Sequence, residues 1–270
     1  MKIDAHQHFW TLARGDYGWL TPDIAPLYRD FIPDDLKPLM QSCDVNGTVL
    51  VQAAPTVAET HFMLNLAVQN PFILGVVGWL DFTATNVAKQ IATLAQNPKL
   101  VGLRPMIQDI ADDDWMLRDD LAGAFDAVIA HDLTFDALVM PRHLQNLLTL
   151  TARYPDLRVV IDHAAKPDIA AQSFEPWATD MARLASQTEC DCKISGLVTE
   201  AADHWTANDI TPYIEHLLHC FGRERLIWGS DWPVATLASD YKSWHDLVAD
   251  IIGDDPDVFG RNAQRAYRLT

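Results

Sequence analysis

Two histidines near the start of the chain, His6 and His8, have the spacing of a metal-binding or proton-transfer pair. They lie in an apolar run, and alternate side chains of a β-strand share one face, so both imidazoles are predicted to point the same way. A second apolar run, residues 225–233, carries Asp231 at its tip, where a carboxylate adds nothing to an apolar strand. The three residues could hold Zn²⁺ with one open position. Without a metal, the two histidines would become hydrogen-bond donors to a substrate.

Eight short apolar runs, rich in Val, Ile, Leu and Phe, recur along the chain and are typical of strands buried on both faces. The predicted strands are residues 3–10, 47–53, 72–81, 100–106, 133–140, 158–163, 190–195 and 226–231. Amphipathic stretches lie between them, and several end at an Xaa-Pro step. This alternation predicts an α/β protein, a single (β/α)8 TIM-type barrel over residues 1–270. An open doubly wound sheet is the alternative, but no Gly-rich phosphate-binding motif follows the first strand.

In such a barrel the active site is built at the carboxyl ends of the strands. Nearly every predicted strand supplies a polar residue there, and this concentration predicts an enzyme. Besides the two histidines and Asp231, these residues are Gln52, Trp79, Asp81, Arg104, Asp162, His163, Lys166, Lys193 and Ser195. A binding barrel without catalytic activity is the alternative of a different class.

Composition limits the partners and the location. The formal net charge of −17 argues against nucleic acid and against an anionic membrane surface. No apolar run approaches the roughly 18 residues of a membrane span, and no signal-peptide pattern opens the chain. The four cysteines are expected to be reduced thiols, which favours a cytoplasmic protein. The aromatic residues of the predicted helices, Trp177, Trp205 and Trp244, could cover barrel or interface surface, so no oligomeric state is predicted.

Longer motifs around these residues resemble the sugar-lactonase branch of the amidohydrolase superfamily. They are DAHQHFW at 4–10, GLR at 102–104, IDHAAKP at 161–167, CKISGL at 192–197, WGSDWP at 228–233 and FGRNAQRAY at 259–267. The branch includes enzymes similar to L-fuconolactonase and a relative that acts on 2-pyrone-4,6-dicarboxylate. The resemblance implies a hydrolase that opens a small sugar-acid lactone, such as L-fuconolactone or a galactono- or rhamnonolactone, to the sugar acid.

Lactone opening needs a base to activate water and a positive group beside the carbonyl oxygen. Asp231 is predicted to be the base, and His163 is predicted to aid proton transfer or to hold the carbonyl. Arg104 and Lys193 are the positive groups predicted to stabilise the oxyanion or grip the substrate. Lys193 has a structural alternative, in which it pairs with Asp136 or Asp162 inside the barrel.

Substrate-binding residues are predicted from the needs of a neutral sugar ring, which favours aromatic platforms and uncharged polar groups. The predicted set is Gln52, His6, His8, Trp10, Trp79 and Trp232. A dicarboxylate would call for two converging cations, and Arg104 is the only arginine at the end of a predicted strand. The irregular residues 11–33, which contain Trp19, are long enough to form a lid over the barrel mouth.

A required metal is the open question. Zinc enzymes of the superfamily typically add a His or a carboxylated Lys from strand five, and none stands at the end of residues 133–140. His143, just beyond, is expected to begin a helix and to face solvent or pack. The enzyme therefore needs either no cofactor or one divalent metal such as Zn²⁺. A metal-dependent decarboxylase, or another amidohydrolase of the superfamily, is the alternative function.

Overall fold

The structure is a computed structural model that describes residues 1–269. Within these residues, eight parallel strands follow one another around a barrel in chain order, which confirms the predicted (β/α)8 fold. The strands are β1 (Lys2–Gln7), β2 (Val45–Val51), β3 (Ile73–Gly78), β4 (Leu100–Leu103), β5 (Thr134–Ala137), β6 (Val159–Ile161), β7 (Asp191–Ile194) and β8 (Leu226–Trp228). The helices are α1 (Pro33–Ser42), α2 (Val57–Gln69), α3 (Val87–Leu94), α4 (Ala122–Ala130), α5 (Leu144–Arg153), α6 (Trp177–Gln187), α7 (Ala207–Phe221), α8 (Tyr241–Ile252) and α9 (Asn262–Tyr267).

The strands are shorter than predicted at their carboxyl ends, and this matters for the site. Arg104, His163 and Asp231 were placed inside strands, but each follows the last paired residue of its strand. They belong to the loops, whose backbone can take conformations that a strand forbids. Every strand residue except Lys2, Asn46 and Leu74 is buried, because helices cover the outside of the barrel.

Two apolar layers stabilise the barrel. The larger lies between the strands and the surrounding helices, and it includes Trp177 and Trp244. The smaller fills the barrel itself, where aliphatic residues such as Ile3, Val49 and Val160 meet Tyr267 of α9. Each large apolar side chain buried in this way contributes roughly 1.5–3 kcal/mol. Since α9 closes the amino end of the barrel, the carboxyl end is left for a site.

The first and last strands are joined at that carboxyl end. The Asp231 amide donates to the carbonyl of His6 at 2.8 Å, and the His8 amide donates to the carbonyl of Trp232 at 2.8 Å. Beneath this junction, the buried carboxylate of Asp4 accepts hydrogen bonds from the amide and the hydroxyl of Ser230, at 2.8 and 2.6 Å. The pairing that closes the barrel thus also sets the histidine strand beside the aspartate.

Two further observations concern the cysteines and the helices. All four cysteines are free thiols, as predicted. Among residues 1–269, no helix combines the length and the apolar character needed to cross a bilayer.

Candidate active site

A cavity of about 310 Å³ opens at the carboxyl ends of the strands. Four residues of the predicted site line it: His8, Arg104, His163 and Asp231. Trp19, expected in a lid over the barrel mouth, and Lys166, expected just beyond strand six, also line it. Most of the remaining wall comes from residues that were not singled out: Met106, Gln108, Asp109 and Thr199. Seven of the eight strand ends therefore contribute to one cavity, as the barrel architecture requires of an active site.

Asp231 is surrounded by three imidazoles. Its Oδ1 lies 3.3 Å from Nε2 of His8, 3.8 Å from Nε2 of His6 and 3.9 Å from Nε2 of His163. Burial alone would raise the pKa of Asp231, but the three histidines, His163 foremost, outweigh it and hold the pKa below its ordinary value. The backbone at Asp231 is left-handed, with φ of 55°, a strained conformation that recurs at functional sites. The carboxylate is therefore ionised and fixed in direction.

The hydrogen bonds of His8 leave one ring nitrogen facing the Asp231 carboxylate without a proton between them. Its Nδ1 lies 2.8 Å from the carbonyl oxygen of Val51, which can only accept, so Nδ1 carries a proton. In the neutral ring, Nε2 then directs a lone pair at the Asp231 oxygen 3.3 Å away. Two lone pairs that face one another are stabilised by a proton or a metal ion between them. This donor set fits a divalent cation.

His6 is held by three charged side chains. Its Nδ1 lies 3.3 Å from Oδ1 of Asp162 and 3.2 Å from the ammonium of Lys193, and Arg104 approaches its Nε2 at 3.3 Å. Because Nδ1 faces both an acceptor and a donor, these contacts fix the position of the ring and not its tautomer. Burial and the neighbouring Lys193 keep the pKa of His6 well below its ordinary value, so the ring is neutral.

His163 packs against a glycine that no other residue could replace. A Cβ on Gly196 would lie 2.6 Å from Nδ1 of His163 and 3.1 Å from Oδ2 of Asp231, and the φ of Gly196 is +63°. His163 Nδ1 also lies 2.9 Å from the hydroxyl of Ser195. Burial lowers the pKa of His163 to about 4, although Asp231 opposes the shift. At neutral pH the ring is therefore uncharged and able to accept a proton.

Arg104 lines the cavity but is fixed by the protein. One terminal nitrogen lies 3.3 Å from Oδ2 of Asp162, and the other donates to the carbonyl of Gln52. The Gln52 amide in turn donates to the carbonyl of Arg104 at 2.9 Å. Gln52 is fully buried behind the cavity wall, so its predicted contact with substrate is replaced by a contact that fixes Arg104.

Lys193 does not lie where an oxyanion-stabilising group is needed. It is a mid-strand residue of β7, so its side chain lies inside the barrel, below the cavity, and it is fully buried. Its ammonium lies 2.6 Å from Asp136 and 2.9 Å from Asp162. The Tyr267 hydroxyl also donates to Asp136, at 2.9 Å. Lys193 therefore pairs with Asp136 and Asp162 inside the barrel, which is the structural role given above as its alternative, because a buried ammonium requires carboxylate partners.

Two predicted aromatic platforms are core residues instead. Trp10 is fully buried, donates to the carbonyl of Arg29 at 2.9 Å and packs edge-on against Phe31. Trp232 packs against the same phenylalanine and is also buried. Aromatic rings at the base of a long loop gain more from mutual burial than from lining a wet cavity.

Trp19, from the predicted lid, is the tryptophan that lines the cavity. Its indole nitrogen donates to the carbonyl of Ala53 at 2.7 Å, which joins residues 11–33 to the end of β2. Trp79 lines an adjacent cavity of about 270 Å³, which shares Met106 and Asp109 with the first. His143 precedes α5 and is buried, and its Nδ1 accepts from the amide of Met140 at 3.1 Å.

Three polar residues of the wall were not predicted, and they share one weak signal. Gln108, Asp109 and Thr199 each follow a strand by several residues, in short irregular turns. Lys166 was expected near the end of strand six, but with no catalytic or binding role.

Three residues of the site lie close enough together to bind one metal ion. Within residues 1–269, ligand atoms of His6, His163 and Asp231 lie within 4.8 Å of one another. The predicted trio of His6, His8 and Asp231 overlaps this group, with His163 closer to His6 than His8 is: the ring centroids are 4.4 and 5.0 Å apart. The arrangement can hold one divalent metal, with Nε2 of His8 facing the same carboxylate.

Comparison with known proteins assigns the family. Residues 3–269 match the amidohydrolase family. The chain belongs to the amidohydrolases. This amidohydrolase is 47% identical to the L-fucono-1,5-lactonase of Burkholderia ambifaria over 99% of its own length and 96% of the relative's. It is 36% identical to the L-fucono-1,5-lactonase of Burkholderia multivorans, over 100% and 96% of the two chains.

A solved structure also matches over the whole chain. An amidohydrolase from Burkholderia multivorans, crystallised with bound zinc, superposes with a TM-score of 0.94 at 35% identity, over 100% of both chains. The family resemblance predicted from the motifs is thereby confirmed.

Proposed function

We propose that this amidohydrolase hydrolyses a sugar-acid lactone to the open-chain sugar acid, with L-fucono-1,5-lactone as the first substrate to test. Two relatives that share nearly the whole chain carry the name of that activity. The observation that carries the proposal is the ionised, fixed carboxylate of Asp231 at a cavity that also exposes His163. A cavity of about 310 Å³ suits a single sugar ring.

The chemistry requires one water and two proton movements. Asp231 takes a proton from water as the oxygen adds to the lactone carbonyl carbon, and the carbonyl electrons move to the oxygen. The ring C–O bond then breaks, and the departing ring oxygen takes a proton to become a hydroxyl. Neutral His163, 3.9 Å from the Asp231 carboxylate, is placed to carry that proton between the two oxygens.

Residues beneath the cavity fix these groups. Asp162 contacts both His6 and Arg104 and limits their orientation, at 3.3 Å in each case. Trp19 supplies the aromatic wall against which one face of the sugar can pack. A divalent metal, when bound by Asp231 with His6 and His163, would polarise the carbonyl or lower the pKa of water. The unpaired cysteines agree with a reaction in the reducing cytoplasm.

Acid release from a lactone panel tests this function. The panel contains L-fucono-, L-galactono-, D-arabino- and L-rhamnonolactone and 2-pyrone-4,6-dicarboxylate, each with and without EDTA. We expect rapid turnover of a sugar lactone and little of the pyrone, because both relatives that share nearly the whole chain are named for a sugar lactone. Activity that survives EDTA would assign the reaction to the protein's own residues, and activity restored only by zinc would assign a metal. No turnover of any lactone, with or without zinc, would overturn the proposal.

A further inference from the structure

A turn of unusual handedness follows β6. The φ angles of His163, Ala164, Ala165 and Lys166 are 51°, 50°, 58° and 54°, although none of these residues is glycine. Left-handed backbone is costly for such residues and occurs as single residues far more often than in runs. The turn is closed by the Lys166 amide, which donates to the carbonyl of His163 at 2.8 Å. Trp177 braces it by donating to the carbonyl of Ala164 at 2.7 Å.

The turn brings two side chains to one wall. His163 and Lys166, its first and last residues, both line the cavity that contains Asp231. Strained backbone that persists because the surroundings fix it is characteristic of functional sites. The position of His163 beside Asp231 explains the strain at His163 alone. The left-handed conformation continues through the next three residues, and it ends at Lys166, which it places in the cavity wall.

Among the described residues, Arg104 and Lys166 are the arginine and the lysine of the cavity wall, and they differ in how firmly their partners hold them. The Arg104 side chain is 4% exposed and its terminal nitrogens are held by Asp162, His6 and a backbone carbonyl. The Lys166 side chain is 21% exposed and pairs with Glu200, which is itself exposed to a similar degree. An ion pair in contact with water exchanges partners at little cost, whereas the pairs of a buried arginine do not. Lys166 is therefore the cation that can turn toward a bound molecule.

Lactone hydrolysis creates a negative charge that the substrate lacks. Water adds to the carbonyl carbon, the carbonyl oxygen gains the electron pair, and after the ring bond breaks the acid loses its proton and leaves as a carboxylate. We propose that Lys166 exchanges Glu200 for this charge: it contacts the carbonyl oxygen as it becomes negative, and then binds the carboxylate of the product. This carboxylate subsite rests on the proposed function and adds a catalytic residue to it.

The test compares a charged product with a neutral molecule of the same shape. Lys166→Met and Lys166→Gln remove the charge, Lys166→Arg retains it, and Glu200→Gln releases the lysine. Binding of the open-chain sugar acid and of the matching alditol is measured by calorimetry for each variant, beside kcat and KM for the lactone. Melting temperatures check that the variants remain folded.

We expect both uncharged variants to bind the sugar acid at least about tenfold more weakly while alditol binding changes less than about twofold, and kcat to fall about 10- to 100-fold. Lys166→Arg should recover part of both losses, and Glu200→Gln should bind the acid as tightly as the wild type or more tightly. Equal changes for acid and alditol, or no change for either, would overturn the subsite. Wild-type protein that turns over no lactone would defeat the proposed function instead, and acid binding would still report on Lys166.

Discussion

The barrel interior and the cavity wall each contain a lysine, and the two lysines obey different rules. Lys193 is enclosed between Asp136 and Asp162 with no exposed surface, whereas Lys166 shares one glutamate at the edge of the solvent. A desolvated ammonium must be neutralised where it lies, so its partners are built into the fold. A partly hydrated one can leave its partner for a ligand. The comparison separates residues that position the site from residues that act in it.

The two regions are nonetheless connected through one carboxylate. Asp162 receives Lys193 from below and contacts His6 and Arg104 above. Its pKa is held well below the ordinary value because these cations and the His6 ring outweigh the effect of burial. The charge that stabilises the interior is thus the same charge that orients two groups of the cavity.

The largest effect should come from removing the interior lysine. Lys193→Met leaves the buried carboxylate of Asp136 without a cation and removes one of the cations beside Asp162, and we expect the free energy of unfolding to fall by about 3–5 kcal/mol. Lys166→Met, the matched change at the rim, should cost less than about 1 kcal/mol. Urea denaturation of both variants measures the difference. Equal stabilities would remove the distinction between the two regions.

Asp231→Asn should act in the opposite way, on rate and not on stability. The amide keeps the shape of the side chain but cannot take a proton from water, so kcat for the lactone should fall at least about a hundredfold. Asp126→Asn is the control, since Asp126 is an exposed carboxylate of α4, outside the cavity. We expect the control to lose less than about threefold. A near-normal rate for Asp231→Asn would exclude Asp231 as the base.

A contact between α2 and the loop of residues 11–33 gives a pH-dependent case between these extremes. Glu59 of α2 accepts a hydrogen bond from the Ala53 amide at 2.9 Å and faces Arg14 of the loop at 3.7 Å. Burial raises the pKa of Glu59 from 4.5 to about 7. The folded protein therefore binds a proton more tightly than the unfolded chain, so this stabilisation is complete below pH 4.5 and is lost as the pH rises through about 7.

Glu59→Gln should remove that dependence. Between pH 5 and 7 the wild type should lose about 2 kcal/mol through this residue, a loss that the glutamine variant should not show. Glu215→Gln, on the exposed face of α7, is the control and should keep the wild-type slope. Denaturation at each pH measures both. A Glu59→Gln variant that retains the wild-type slope would contradict the assignment.

The sequence predicts the order of strands and helices better than it predicts how deep in the barrel a polar side chain lies. Strand periodicity and Xaa-Pro steps were enough for the barrel, and their order placed His6 and Asp231 side by side. Periodicity cannot say whether a polar residue near a strand end lies inside the barrel or in the cavity, which is why a catalytic role was predicted for Lys193 and none for Lys166. The left-handed turn at residues 163–166 contains no glycine, so no composition signal announces it.

The smallest effect concerns two tryptophans, Trp10 and Trp19, which pack edge to face with ring centroids 5.4 Å apart. Trp19 lines the cavity and Trp10 is buried behind it, although the sequence favoured Trp10 as the platform. Trp19→Phe loses the bond to Ala53, and one such bond contributes about 1 kcal/mol, so KM for the lactone should rise about two- to fivefold with kcat nearly unchanged. Trp10→Phe should instead lower the free energy of unfolding by about 1–2 kcal/mol and leave KM unaltered. If Trp10→Phe changed KM as much as Trp19→Phe, the two rings would act on the substrate as one unit. A buried residue would then affect substrate binding directly, and burial would not separate residues that position the site from residues that act in it, as it does for the two lysines.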